Sequence, residues 1–339
     1  MKRFICFIIA TSLLLTCSCA KTNGKTAKPK YKLQEPSGNP VEFNESWGYV
    51  MQSRVNEYNQ DIPLTDVCFF AADFDCYGEL IDIPARSKLN LREGSRCHLV
   101  VICDSKSLTH FVINPDLPVR EQAIKQIVEA AADYDGLQLD FELIPQKDGE
   151  AYLKFVKALK TALENKYGEN NKMYTICVPA RMKLLENDIF PYESLSQIFD
   201  RIFVMAYDEH WSTSKPGPIA SVDWCRKCAE YAVQTVPPEK LIMGVPFYGR
   251  TWTKETTSGA WYYSGANRVM TENGVRTVNY ENDIPTFSYK TEVNVTGYFN
   301  DIHSLLTLCR LYEGMNVQNI GFWRIGQEDP DFWNWLMLK

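Results

Sequence analysis

Eight short apolar runs, each the length of one strand, recur along this chain with helix-patterned stretches between them. They are SWGYVM (46–51), DVCFFAA (66–72), CHLVVIC (97–103), GLQLDFE (136–142), YTICVPA (174–180), RIFVMAY (201–207), KLIMGVPF (240–247) and NIGFWRI (319–325). Helical spacing of apolar residues marks REQAIKQIVEAAADY (120–134), GEAYLKFVKALKTALENKYG (149–168) and VDWCRKCAEYAVQTV (222–236). Strands alternating with helices predict parallel βα units. An α/β architecture closed as a (β/α)8 TIM barrel fits their number and spacing. An open doubly wound sheet is the alternative, although no GxGxxG follows the first run. From Thr251 to about Tyr298 the rhythm gives way to a Tyr-, Thr-, Asn- and Gly-rich stretch with alternating segments. This predicts a small α+β insertion between strand 7 and its helix.

The fourth run is unusual in a way that bears on chemistry. Gln138, Asp140 and Glu142 alternate with Leu137, Leu139 and Phe141, so one face of this strand carries an amide and two carboxylates. In a βα barrel the leucines and Phe141 meet the helices. The polar face then points inward and climbs toward the C-terminal mouth, with Glu142 highest. No basic residue occurs from Asp135 to Gln146, so a buried ion-pair reading would leave both acids unpaired at high cost. Two acids this close repel, and one of them should hold a proton at neutral pH. A protonated glutamic acid at the mouth can protonate a leaving oxygen, which cleavage of a glycosidic bond requires.

The N-terminal stretch reads as an address. Lys2 and Arg3 precede an apolar core from Phe4 to Leu15, followed by small residues and a cysteine. This resembles a bacterial lipoprotein signal over residues 1–18, with Cys19 as the lipidated residue; Cys17 or a cleaved signal without lipid are the alternatives. Residues 19–44 are polar and rich in Lys, Pro and Gly, as expected of a flexible tether, and the folded body is expected over 45–339. A net charge of −6 with no long basic run excludes nucleic acid and leaves the lipid as the only expected contact with a membrane. Of the eight cysteines beyond the signal, Cys68, Cys97, Cys103 and Cys177 sit in or beside strand-like runs and read as buried small hydrophobes. Cys225-Arg-Lys-Cys228 lacks the second pair or spaced His of a zinc site.

The stretch Asp135 to Glu142 resembles the DxxDxDxE signature of family 18 glycoside hydrolases, the chitinase family. RIFVMAYDEHW resembles the family's MxYD strand through Met205, Tyr207 and Asp208. KLIMGVPFYGRTW resembles its strand 7, ending in Arg250, and GFWRIGQEDPDFW resembles strand 8, whose Trp323 would floor the site. The last of these looks most like a bacterial branch that includes spore-cortex N-acetylglucosaminidases. The resemblance implies a retaining, substrate-assisted glycosidase acting on N-acetylglucosamine-containing polysaccharide, as a monomer and without metal or cofactor. It implies Glu142 as acid and base, with Asp140 and Tyr207 holding the substrate's acetamido group. Gln138, Met205, Asp208, Arg250 and Trp323 would bind sugar. At Gln138 the family's middle Asp is replaced; an amide can hydrogen-bond Asp140 but cannot share its charge. A non-catalytic carbohydrate-binding barrel is the alternative, although lectins of the family usually lose the acid that Glu142 supplies here. A metal-dependent barrel enzyme lacks support, because the chain has four His and no HExxH.

Overall fold

The computed structural model describes residues 32–254 and 262–339. The expected signal over 1–18, Cys19, the first part of the tether and residues 255–261 of the insertion lie outside the described residues. Residues from Glu35 to Lys339 form one compact unit.

Each of the eight apolar runs forms a strand: β1 (Glu45–Met51), β2 (Asp66–Phe74), β3 (Arg96–Ile102), β4 (Gly136–Asp140), β5 (Met173–Pro179), β6 (Arg201–Met205), β7 (Leu241–Pro246) and β8 (Asn319–Trp323). All pair in parallel with their chain neighbours, and β1 pairs with β8 as well as β2, so the sheet closes on itself as the expected barrel. Helices α1 (Lys106–Ile113) and α2 (Val119–Ala130) follow β3, and α3 (Gly149–Tyr167) follows β4. Short α4 (Tyr192–Ser196) follows β5, and α5 (Val222–Thr235) follows β6. Ser221 caps α5 by accepting from the Trp224 N–H, which satisfies a donor the helix cannot bond internally.

The expected insertion between β7 and its helix contains a strand pair, Arg250–Thr253 against Val295–Tyr298, around α6 (Tyr263–Glu272) and a hairpin of Asn279–Glu281 with Ile284–Thr286. Among the bonds that tie it to the barrel mouth, Trp252 Nε1 donates to the Trp211 carbonyl at 3.1 Å, and Asn300 Nδ2 to that of Pro246 at 3.0 Å. Chain then re-enters the barrel through α7 (Ile302–Gly314), opened by an Asp301–Ser304 capping box.

The expected tether boundary at residue 44 falls inside ordered structure. Val41–Phe43 pairs in parallel with Leu336–Leu338 beneath the barrel, and Val41 and Phe43 are fully buried. The alternation Val-Glu-Phe puts two apolar side chains on one face, which is enough to recruit this segment into the core.

Inside the barrel, inward-facing residues stack in tiers. At the N-terminal base, Arg96 bonds Asp66 at 2.7 Å and Glu45 at 2.9 Å, and Arg201 bonds Glu45 at 2.6 Å. Buried His98 bonds Asp66 at 2.7 Å and stacks on Trp47. Above this ring lies an apolar waist of Tyr49, Cys68, Val100, Cys177, Phe203 and Ile242. Two inward glycines make room for these rings: a Cβ at Gly321 would stand 2.1 Å from Phe203, and one at Gly136 would stand 2.3 Å from His98 Nδ1.

At Gly136 the second clash is with backbone, 2.6 Å from the Met173 carbonyl oxygen, so the structure cannot yield by a rotamer change alone. Gly136→Ala is expected to lower stability by about 1–3 kcal/mol, the usual cost of overpacking. Thermal unfolding measures this, and an unchanged midpoint would contradict the fixed position of His98.

Candidate active site

The polar face of β4 rises through the waist to the C-terminal end of the barrel. There a cavity of about 490 Å³ opens, with Asp140 and Glu142 in its wall. The run after β6 contributes Met205 from the strand end, then Tyr207 and Asp208. From the segment after β7 come Tyr248, Gly249 and Arg250, and β8 ends in Trp323. Trp323 packs at 5.1 Å from Tyr49 and 5.0 Å from Phe70, which fixes the indole across the barrel axis. Asp208 holds a left-handed backbone (φ 58°), a conformation that Asp tolerates better than most residues. Its Oδ1 accepts from Tyr248 Oη at 2.5 Å and from Arg250 at 2.7 Å, joining the mouth to the first strand of the insertion.

Seven residues singled out in the sequence therefore line one cavity: Asp140, Glu142, Met205, Tyr207, Asp208, Arg250 and Trp323. Gln138 does not. It lies one inward step below Asp140, fully buried in the waist. Sequence reasoning missed Asp104, Tyr248 and Gln327, which also line the cavity. Asp104 follows the third run in a polar loop with no alternation to mark it. Tyr248 sits inside a segment already noted, and inward parity from Gly244 and Pro246 would have pointed to it.

A model of the glycosyl hydrolases family 18 matches residues 114–328, more than half of the chain and the part that holds all seven residues. The chain belongs to glycosyl hydrolases family 18. It carries the domain of a family of glycosidases, and several relatives resemble it along most of its length. It is 25% identical over 310 residues to the cortical fragment-lytic enzyme of Bacillus anthracis, covering 85% of this chain and 71% of that protein. To the Bacillus subtilis protein YdhD it is 27% identical over 236 residues, covering 65% of this chain and 54% of the relative's length. Among solved structures, the spore cortex-lytic enzyme SleL of Bacillus cereus superposes with a TM-score of 0.67 at 21% identity, covering 90% of this chain and 77% of that one. A family 18 chitinase of Cycas revoluta in complex with (GlcNAc)3 does so with a TM-score of 0.61 at 20% identity, covering 85% and 97%. These two likenesses establish the fold.

The electrostatics of this family 18 mouth are one-sided. Arg250 is the only Lys or Arg among the described residues lining the cavity, and it is engaged by Asp208. Asp140, 5% exposed, makes no ion pair among the described residues. Burial, then the neighbouring Glu142 charge and more weakly Asp104, push its carboxyl up to about 8. Burial also raises Glu142, with Asp104 and Asp208 adding to it. Glu142 stands at the mouth where solvent reaches it, so the heavier upward shift falls on Asp140. The two acids titrate as a pair, and at neutral pH the proton they share resides largely on the Asp140 side.

The hydrogen bond from Gln138 to Asp140 that an amide permits is not made. Both polar atoms of Gln138, and Oδ1 of Asp140, lack a hydrogen-bond partner. Inward neighbours on one strand stand two residues apart, whereas an adjacent strand is only about 4.8 Å away, so lateral neighbours are nearer than the residue below.

A carboxyl raised from 3.8 to about 8 by folding contributes stability that is complete below the lower value and lost as pH rises through the upper one. Asp140→Asn removes that liability. The variant is expected to melt within a degree or so of wild type near pH 4 and a few degrees above it near pH 8. Thermal midpoints across this range test the sign, and a gain that does not grow with pH would show that Asp140 is not held protonated.

Proposed function

We propose that this protein hydrolyses β-1,4-linked N-acetylglucosamine polymers, in chitin, peptidoglycan or related glycans, by a substrate-assisted retaining mechanism. The reading rests above all on Asp140 at the inward end of β4 and Glu142 just beyond it, both in the wall of a cavity shared with Tyr207 and Trp323. The names of its relatives, a cortical fragment-lytic enzyme and chitinases, support the substrate class.

In this reading a sugar lies on Trp323 with its glycosidic oxygen toward Glu142. The raised carboxyl of Glu142 supplies the proton as the bond to the leaving alcohol breaks. No enzyme carboxylate attacks; the carbonyl oxygen of the substrate's own N-acetyl group bonds to C1 and forms an oxazolinium ion, an exception to the usual two-carboxylate scheme. The proton the two acids share passes from Asp140 to Glu142 as substrate binds and is the one handed to the leaving oxygen. Asp140, now a carboxylate, accepts from the acetamido N–H and balances the charge as that nitrogen becomes cationic. The phenol of Tyr207, held neutral by burial, donates to the acetamido oxygen and orients it for attack. Glu142, now a carboxylate, takes a proton from water as the water opens the oxazolinium at C1, and the retained configuration returns. Met205, Asp208 and Arg250 shape the wall around this sugar.

We also place the protein outside the cytoplasm, held to a bacterial membrane by lipid on Cys19, on the strength of the basic start, apolar core and cysteine at the N-terminus. No described helix is long and apolar enough to cross a membrane.

Glu142→Gln is expected to abolish hydrolysis by ~10²–10⁴-fold while leaving the fold and sugar binding intact, the usual worth of a general acid. The measurement is release of soluble oligosaccharides from chitin and from peptidoglycan, with the variant as blank. Comparable release by both proteins would remove Glu142 from the mechanism, and binding without release by wild type would identify a lectin. Mass spectrometry of the mature N-terminus reads the anchor separately: an unmodified residue there would rule out the lipid on Cys19.

A further inference from the structure

Asp140 must be held at one angle to meet an acetamido group, and Gln138 does not hold it. Strand β5 supplies a lateral neighbour. Gln138 pairs with Thr175 and Leu139 with Ile176, so one step further Cys177 stands beside Asp140 on the same inward face. Cys177 is 2% exposed, and its thiol lies in the buried layer beside the Asp140 carboxyl, whose Oδ1 has no hydrogen-bond partner among the described residues. On its other side the Tyr49 hydroxyl, from β1, meets Cys177 Sγ at 3.0 Å. Tyr49 is buried as well, at 1% exposure, so the phenol, the thiol and the acid form a file across the barrel with no solvent in reach of the first two.

We infer that Cys177 is a positioning residue for Asp140: its S–H donates to the carboxylate while its sulfur accepts from Tyr49 O–H, holding Asp140 toward the cavity and favouring its ionised form. This deepens the glycosidase reading and rests on it. Asp140 has to be a carboxylate as the oxazolinium forms, in a pocket whose other charges oppose that. Facing it are Glu142 just after its own strand and Asp104 after β3, both acids, which raise it. Tyr207 after β6, Tyr49, Cys68 on β2 and Tyr152 on α3 are neutral groups whose own ionisation is suppressed by burial. Among these neighbours Cys177 is the one that pulls the Asp140 carboxyl down. The S–H bond is a weak donor, but in a dry site even a weak donor to a developing charge counts.

The test compares Cys177→Ser, Cys177→Ala and Cys177→Val on a chromogenic N-acetylglucosamine oligomer. Ala and Val remove the donor, Val keeping much of the bulk, and both are expected to lower kcat about tenfold or more with KM nearly unchanged. Their acid limb should move to higher pH because Asp140 ionises less readily. Ser restores a donor and should bring back most of kcat and the wild-type limb. Wild-type kcat and profile in Cys177→Val, with loss only in Cys177→Ala, would reduce Cys177 to a space-filling residue and overturn the inference.

A second measurement needs no turnover. The stability difference between wild type and Cys177→Ala should widen above pH 8, where Asp140 charges, and that pH dependence should vanish in an Asp140→Asn background. A difference independent of pH in both backgrounds overturns the coupling even if no glycan proves to be cleaved. An inactive wild type with the coupling intact would count against the glycosidase reading alone.

Discussion

Closure of the sheet through β1 creates an interior in which an uncompensated charge is costly, and the two poles of the barrel meet that constraint in opposite ways. Asp66 at the base and Asp140 near the mouth are both buried aspartates on neighbouring walls of one barrel. Burial pushes Asp66 up, but its bonds to His98 and Arg96 outweigh that and hold its carboxyl below the ordinary range. Asp140 has burial and two further acids, and no cation among the described residues pairs with it. The same residue type is thus a fixed anion at one end and a proton reservoir at the other. The difference lies in the guanidinium and imidazole groups around it.

That contrast divides the labour of the fold. The base ring of Glu45, Asp66, Arg96, His98 and Arg201 ties four strands together, and the waist of rings fills the lumen above it. With the frame held there, the mouth can carry a group of acids that a marginally stable site could not hold alone. Asp208 shows the same economy. One carboxylate oxygen fixes Tyr248 and Arg250, so the wall of the cavity and the root of the insertion are set by a single acceptor.

Much of this was legible in the sequence because period and order survive without coordinates. The eight runs were readable as strands, and parity within GLQLDFE put Asp140 and Glu142 on the inward face. The same run offered Gln138 as a partner for Asp140, a bond that is not made. Parity ranks residues along one strand, whereas hydrogen bonds in a parallel barrel are mostly lateral, and register between β4 and β5 is not written in either segment alone. For that reason Cys177, correctly read as a buried thiol, could not be seen beside Asp140. Asp104 was hidden for another reason: loops after strands carry no period, so only closure of the barrel brings that carboxylate to the cavity. Val41–Phe43 was missed because a three-residue strand is too short for alternation to stand out from a polar segment. Its partner, Leu336–Leu338, lies almost 300 residues away.

That small pairing sets the directionality of the barrel unit. Val41–Phe43 runs into β1 from below, and Leu336–Leu338 returns to the same side after β8, so both flanks of the ordered body leave from the pole opposite the cavity. A surface, a fluorophore or a second protein coupled to the ordered body at Glu35 or Leu338 attaches behind the working end. Immobilised by either of these two points, the barrel would turn its cavity away from the support.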